Sequence, residues 1–242
     1  MKPVNFPQEN EVVMQACSVR PFAGLATLVG LLFAGACVPM AAAAGADDED
    51  PAYTRVITER ANKIVAPLGI ADAEKSTRVR DVIVVQYRSL SRIHDDLDAK
   101  IASAKSGPSD PAVAEAWIKA VENKAQLELF ALHRAFVARL AAELTPSEVD
   151  KVKDSMTYGV VPLTYHGYQE LLPDLTAVQK ARIHAWLIEA REYAMDAGSS
   201  EKKHWWFGKY KGRINNYLSS AGYDLKQAER DLSARKEQAP AP

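Results

Sequence analysis

Between Met156 and Tyr223 the sequence gathers side chains suited to holding a polar ring or an anion. Eleven of the 16 Phe, Trp and Tyr residues beyond residue 46 lie here, among them Tyr158, Trp205, Trp206, Tyr210 and Tyr217. Residues 198–218 add Lys202, Lys203, Lys209, Lys211 and Arg213 against a single acid, Glu201. Aromatic faces stack on flat or ring-shaped ligands and cationic donors neutralise acid groups, so an oligosaccharide or uronate-like ligand fits this mixture. Asn215 and Asn216 follow one turn on, each able to donate and accept. The candidate ligand-binding set is therefore Lys202, Lys203, Trp205, Lys209, Tyr210, Lys211, Arg213, Asn215, Asn216 and Tyr217. The competing reading is an amphipathic helix with core aromatics and solvated lysines.

The same region offers acid–base groups. Tyr158, His166 and His204 are the candidate catalytic residues, each a group that could abstract a proton while nearby cations stabilise the developing charge. That is the requirement of a lyase acting on an acidic sugar, so a small carbohydrate-active lyase or hydrolase stands beside a simple binding protein. A chaperone-like or structural helical protein is the third alternative. Glu189, Glu192 and Asp196 form a carboxylate row on one helix face, expected to face solvent or to pair with Lys202 and Lys203. Gly208 and Gly212, four apart, make a bare strip, read either as a tight helix contact or as room for a ligand at the backbone.

Other chemistries find no residues. His94, His133, His166, His184 and His204 contain no i, i+4 pair, and neither a Gly-rich phosphate loop, a G-x-S-x-G elbow nor an H-E-x-x-H motif occurs. No metal and no cofactor are expected. The two cysteines, Cys17 and Cys37, both lie near the N-terminus, so the rest of the chain has no thiolate nucleophile and no disulfide.

The elements that position the aromatic–basic segment are helical. Ile83, Tyr87, Leu90, Leu97 and Ile101, with Ile93 beside them, recur at helical spacing over 72–104. Trp117, Val121, Ala125, Leu129, Leu132, Phe136 and Leu140 do the same over 110–142. The break at Ser106 to Ser109 and the Asp110–Pro111 start predict two long antiparallel helices. Thr145 with Glu148, and Thr176 with Gln179, predict capping boxes, and Asp72 a weaker third start. Helices are expected over 176–197, stopped by Gly198, and from Ser199 or Ser200 to about Ser220, closed by Gly222. The fold class is all-α: a single-domain helical bundle, two long antiparallel helices followed by shorter C-terminal ones.

Residues 21–46 are uncharged, follow Arg20 and end in small residues before an acidic run. They read as a secretory signal cleaved near Ala46, with Met14 an alternative start. An uncleaved anchor and a lipoprotein through Cys37 are the competing readings. The expected organisation is 1–46 signal peptide, 47–71 N-terminal segment with a short helix, 72–225 bundle, and 226–242 charged helix and loose tail. The location is then periplasmic or secreted, with no stable membrane span after cleavage. Thirty Lys and Arg against 31 Asp and Glu give no global attraction to nucleic acid, so none is expected as a partner. Oligomeric state stays open, a homo-oligomer included.

Three blocks, VKDSMTYG (152–159), AREYAMDAGSS (190–200) and FGKYKGRINNYL (207–218), resemble domain of unknown function family 3826. The resemblance covers about residues 51–225. It implies an exported bacterial protein associated with organisms that degrade complex polysaccharides, and it brings no established reaction. A weaker similarity, through LTAVQ (175–179), is to periplasmic stress chaperones with LTxxQ repeats, which are small helical dimers; LTPSE (144–148) departs from that motif by ending in Glu.

Overall fold

Seven of the eight α-helices among the described residues start at a side chain that accepts from a free N–H group of the first turn. In the computed structural model, which describes residues 50–107 and 110–238, α1 (Pro51–Val65) is capped by Asp50. A short 3-10 turn over Ala66–Leu68 ends at left-handed Gly69. The long helix α2 (Ala73–Ser106) is capped by Asp72, which accepts from Glu74 and Lys75. Its antiparallel partner α3 (Pro111–Glu143) is capped by Asp110, with Pro111 at the first helical position. Both capping boxes form, Thr145 with Glu148 opening α4 (Pro146–Met156) and Thr176 with Gln179 opening α6 (Ala177–Met195). Between them lies α5 (Val160–Leu171). Ser199 caps α7 (Ser200–Ser220), Gly222 at φ 95° closes it, and Asp224 caps α8 (Leu225–Gln238). The described residues contain eight α-helices and no strand. No helix among them is long and apolar enough to cross a membrane. The residues read as a leader, with the expected cleavage point and Cys37, the linker residues 108 and 109, and the tail from 239 lie outside the described residues.

Two hydrophobic cores hold the helices. One joins α1, the first half of α2, the end of α3 and α4 around Ile57, Ile83, Phe136, Leu140 and Val152. The other joins α5, α6 and α7 around Ile183, Leu187, Phe207, Ile214 and Leu218, with α8 laid on its edge. Met195, at the end of α6, belongs to the first core, so α6 runs from one to the other. A small cluster of Leu90, Ile93, Ala125 and Leu129 zips the middle of the α2–α3 hairpin. Toward the hairpin tip Trp117, expected on the buried stripe, is 43% exposed among the described residues.

One glycine differs from the sequence reading, and for two others one of its two alternatives falls away. Gly198 does not take the left-handed conformation of a helix stop; a Cβ there would come within 2.6 Å of the His94 ring. It is a close-approach glycine, letting the α6–α7 turn rest on α2. At Gly208 and Gly212 a methyl group would meet nothing within 4 Å among the described residues, so neither serves a tight helix contact.

Candidate functional site

Helix α7 buries Lys203, Phe207, Tyr210, Ile214 and Leu218 and divides the rest of its predicted set between two flanks. At 3.6 residues per turn, neighbouring residues point about 100° apart. Lys202, Trp206, Lys209 and Arg213 therefore share one flank, and His204, Lys211 and Asn215 the other.

On the first flank, the start of α7 faces the middle of the α2–α3 hairpin across a groove of about 570 Å³. Trp205 and Trp206 form its aromatic wall, edge to face with centroids 5.0 Å apart, and Tyr193 stacks on Trp206 at 4.6 Å and 15°. Lys209 lies over both indoles, at 5.7 and 5.3 Å from their centroids. Trp205 is 58% exposed, so much of its ring is open to solvent. The opposite wall carries Asn123, Gln126 and Phe130 of α3 with His94 of α2, and Lys202, Glu122 and Asp196 bring charge of both signs. Aromatic faces, amide donors and acceptors, and no dominant charge are what hydroxyl-rich rings require.

On the other side of α7, the base of the helix meets α1, α2 and the end of α4 in a smaller cavity of about 240 Å³. Arg60 and Lys63, three apart on α1, line it with Lys203, Tyr87, Ser155 and Tyr158. Lys203 is 7% exposed; its ammonium donates to the Met156 carbonyl at 2.9 Å and lies 5.9 and 5.8 Å from the ring centroids of Tyr87 and Tyr158. Burial, reinforced by the like charge of Arg60, pushes Lys203 down to about 8. Burial pushes Tyr87 up to about 12.

The turn that places Tyr158 is unusual. Gly159 donates to the Asp154 carbonyl at 2.8 Å and Tyr158 to that of Ser155 at 3.4 Å, the bond pattern of a Schellman helix end. The left-handed position of that motif normally holds glycine, yet here it holds Tyr158 at φ 61°, followed by Gly159 at 65°. A non-glycine residue in that region costs about 1–2 kcal/mol. Buried Thr157, bonded to the Lys153 carbonyl at 2.9 Å, anchors the turn. The strained residue lays its ring against His204, centroids 5.5 Å apart and 11° from parallel. His204 Nδ1–H donates to the Ser200 carbonyl at 2.7 Å, so in the neutral ring Nε2 is the acceptor.

Two of the three predicted acid–base residues, Tyr158 and His204, thus meet beside Lys203. His166 does not: its side chain is 72% exposed and pairs with Glu170 one turn along α5. The remaining predicted binding residues disperse. Arg213 lies over Trp186 at 4.7 Å and within 3.6 Å of Glu189; Tyr217 meets Trp186 edge to face. Tyr210 is in the second core, Asn215 accepts from the Tyr168 hydroxyl at 2.7 Å, and Lys211 and Asn216 are exposed.

The carboxylate row on α6 is part of a polar frame between the two concavities. Buried Arg191 donates to Asp150 at 2.6 Å and Asp154 at 2.8 Å, fixing α4 on α6. His133 of α3 donates to Asp196 at 2.9 Å and Glu192 at 3.1 Å. Both partners are carboxylates, so both ring nitrogens carry protons, and these bonds raise His133 to about 9. Burial alone would raise Glu192, but His133, Lys153 and Arg191 hold it down to about 2. Asp196 moves the other way: its burial outweighs His133, and its Oδ1 is buried without a partner. The sequence predicts this row to face solvent or to pair with Lys202 and Lys203; Glu189 is exposed beside Arg213, while Glu192 and Asp196 are partnered by His133, Lys153 and Arg191 instead of the two lysines. Among the described residues, no group of three or more His, Cys, Asp or Glu is placed to hold a metal ion.

Arg60, Lys63, Gln126 and Phe130 carry no functional signal in the sequence, and Tyr87 reads there only as part of the hydrophobic stripe of α2. Each sits on an ordinary amphipathic helix, and only the packing of α1, α2 and α3 near α7 gives it a role.

Over residues 54–238 the chain matches the family described as protein of unknown function (DUF3826), and it belongs to that family. No curated protein matches it.

Proposed function

We propose that this protein is exported and binds a saccharide in the groove between the α2–α3 hairpin and α7, as an accessory binding protein in polysaccharide utilisation. The observation that carries this reading is the indole of Trp205, 58% exposed at the groove and continued by Trp206 and Tyr193. Exposed aromatic rings stack on the apolar faces of sugars, while Asn123 and Gln126 across the groove suit their hydroxyls. The volume, about 570 Å³, is in the range of small-molecule sites. The uncharged run 21–46 supports export.

The test is titration of the purified protein with a panel of neutral and uronate-containing oligosaccharides, followed by tryptophan fluorescence and melting temperature. Trp205→Ala is expected to weaken binding about tenfold, as loss of an aromatic anchor does. Absence of any response to the neutral oligosaccharides, or a response to them that Trp205→Ala leaves intact, would overturn the reading.

One observation favours a second reading, a lyase acting on acidic polysaccharide: the stacked Tyr158 and His204 beside Lys203. One of the pair would take the proton next to the sugar carboxylate while the cations hold the charge that develops there; the C–O bond to the leaving sugar would then break as the C=C forms, its oxygen taking a proton from water. Ultraviolet absorbance of an unsaturated product, lost in Tyr158→Phe or His204→Ala, is the expected signature; an activity indifferent to both variants would exclude this assignment.

A further inference from the structure

The geometry points to a second binding site, independent of the groove: we infer that the cavity lined by Arg60, Lys63, Tyr87, Ser155, Tyr158 and Lys203 binds a compact oxyanion, the carboxylate or phosphate of a small ligand.

Its charge is of one sign. Three cations line the cavity, the two remaining lining residues, Ile64 and Met156, are apolar, and no carboxylate is among them. Among the described residues, Arg78, Lys153, Arg191 and several others hold carboxylates within ion-pair distance, whereas Arg60, Lys63 and Lys203 hold none. Three cations gathered without an acid repel one another, and a bound anion relieves that repulsion.

The most telling member is Lys203. A cation this buried is ordinarily paired. Its ammonium has three N–H donors and uses one on the Met156 carbonyl, which leaves two for a guest. The rings of Tyr87 and Tyr158 flank it, and the Arg60 guanidinium stands 5.2 Å over Tyr87, so two cations converge on one phenol. The lowered affinity of Lys203 for its proton is the direction expected of a buried cation without a contacting counter-charge: burial and Arg60 lower it, and the attraction of Asp196, which makes no ion pair with it, does not offset them.

The backbone points the same way. Tyr158 holds a left-handed conformation that glycine would hold without strain, and that conformation roofs the cavity with its ring. Strain of this kind persists where the surrounding structure enforces it, and it collects at ligand clamps. The hydroxyls of Ser155 and Tyr158 add neutral donors to the lining. The volume, about 240 Å³, is that of roughly eight waters. It admits one ring-sized acid or an inorganic anion.

The experiment is calorimetric titration of the purified full chain with sodium glucuronate, glucose and inorganic phosphate at low ionic strength. One equivalent of glucuronate or phosphate is expected to bind, with affinity falling as salt is added. Arg60→Gln and Lys63→Gln, both at exposed positions, should each weaken that binding about tenfold, the worth of one charge-assisted hydrogen bond. Lys203→Met should abolish it while keeping or raising the melting temperature, because an unpaired buried charge is removed. Trp205→Ala should leave it unchanged, which separates this site from the groove. Glucuronate binding alone assigns a carboxylate site, and displacement of glucuronate by phosphate a general oxyanion site. Binding of neither anion, or anion binding equal to wild type in both Arg60→Gln and Lys63→Gln, overturns the proposal. Should Lys203→Met fail to fold, the two exposed variants still decide.

Discussion

Lys202 and Lys203 are neighbours in the chain, yet they belong to concavities of opposite chemistry. Lys202 stands at an open groove beside Trp205 and Trp206, where both signs of charge occur and aromatic area dominates. Lys203 is buried in a cavity half the size, where the charge is all positive and two tyrosine rings take the place of indoles. The rotation of about 100° per residue allows one helix to serve both. Charge counted along a segment therefore says little about charge at a site: the cations of α7 never meet at one point, and the cavity obtains its second and third from α1. A ligand in the groove should be nearly indifferent to ionic strength, whereas one in the cavity should be lost as salt screens it.

Breaking the frame that the two regions share should have the largest effect. Arg191 fixes α4, which carries Ser155 and the Tyr158 turn, while its neighbour Glu192 reaches His133 on the α3 wall of the groove. Arg191→Met is expected to cost about 3 kcal/mol in urea denaturation. That is the low end for breaking a buried ion pair, because Asp150 is 58% exposed and stays partly solvated. The variant should weaken oligosaccharide and glucuronate binding together; loss of only one would mean that the frame serves that region alone.

Titration should separate the regions next. His133, raised from 6.5 to about 9, contributes stability that is fully present below pH 6.5 and is lost as pH rises through about 9. Lys203, lowered from 10.5 to about 8, runs oppositely: the cost of burying its charge is present below about 8 and is relieved between 8 and 10.5. Urea midpoints are expected to fall from pH 6.5 toward 9 in the native protein. They should stay level or rise in His133→Gln, and fall most clearly in Lys203→Met, where the opposing contribution is gone. A native protein whose midpoint does not change over that window, together with an unchanged profile in His133→Gln, would contradict the doubly bonded imidazolium.

Smaller still is the exchange of strain for contact at the cavity roof. Tyr158→Gly should hold stability level or raise it by up to about 1 kcal/mol, since the left-handed position becomes free of strain while the His204 stack is lost. Glucuronate binding should weaken and oligosaccharide binding should not. A clear loss of stability would show that the ring holds the fold together rather than a ligand.

How much of this was legible depended on the range of the physics involved. Thr145, Thr176, Asp110 and Asp72 act on N–H groups two or three residues away, so their capping could be read from spacing alone. The hydrophobic steps of α2 likewise predicted its own buried face, with Ile83, Tyr87, Leu90 and Ile93 all buried. What spacing cannot supply is which face meets which. Arg60 and Lys63 look like solvated charges until α1 packs beside Tyr87, and Glu192 looks like a surface acid until His133 arrives from α3. Gly198 is a glycine because of His94, about a hundred residues earlier. Of the predicted binding set, Lys202 and Trp205 line the groove with Lys209 over the indoles, and Lys203 lies in the cavity. The others point elsewhere because a cluster in sequence wraps around its helix.

The glycines of α7 give the smallest change and a strict test of that division. Gly212 lies opposite the buried face of the helix, where a methyl group would meet nothing within 4 Å among the described residues, and it has no place in the lining of either concavity. An alanine there meets no neighbour and restricts the unfolded chain, so Gly212→Ala should stabilise the protein by about 0.5–1 kcal/mol. The same argument holds for Gly208, on the flank of Lys211 and Asn215. If the two concavities account for ligand recognition on α7, both alanine variants will melt higher and bind oligosaccharide and glucuronate like the native protein. A methyl group that lowered either affinity would mean that a ligand lies on the bare backbone strip. The outward face of α7, with Lys211, Asn215 and Asn216, would then be a third contact surface, and the two-flank description would have to be redrawn.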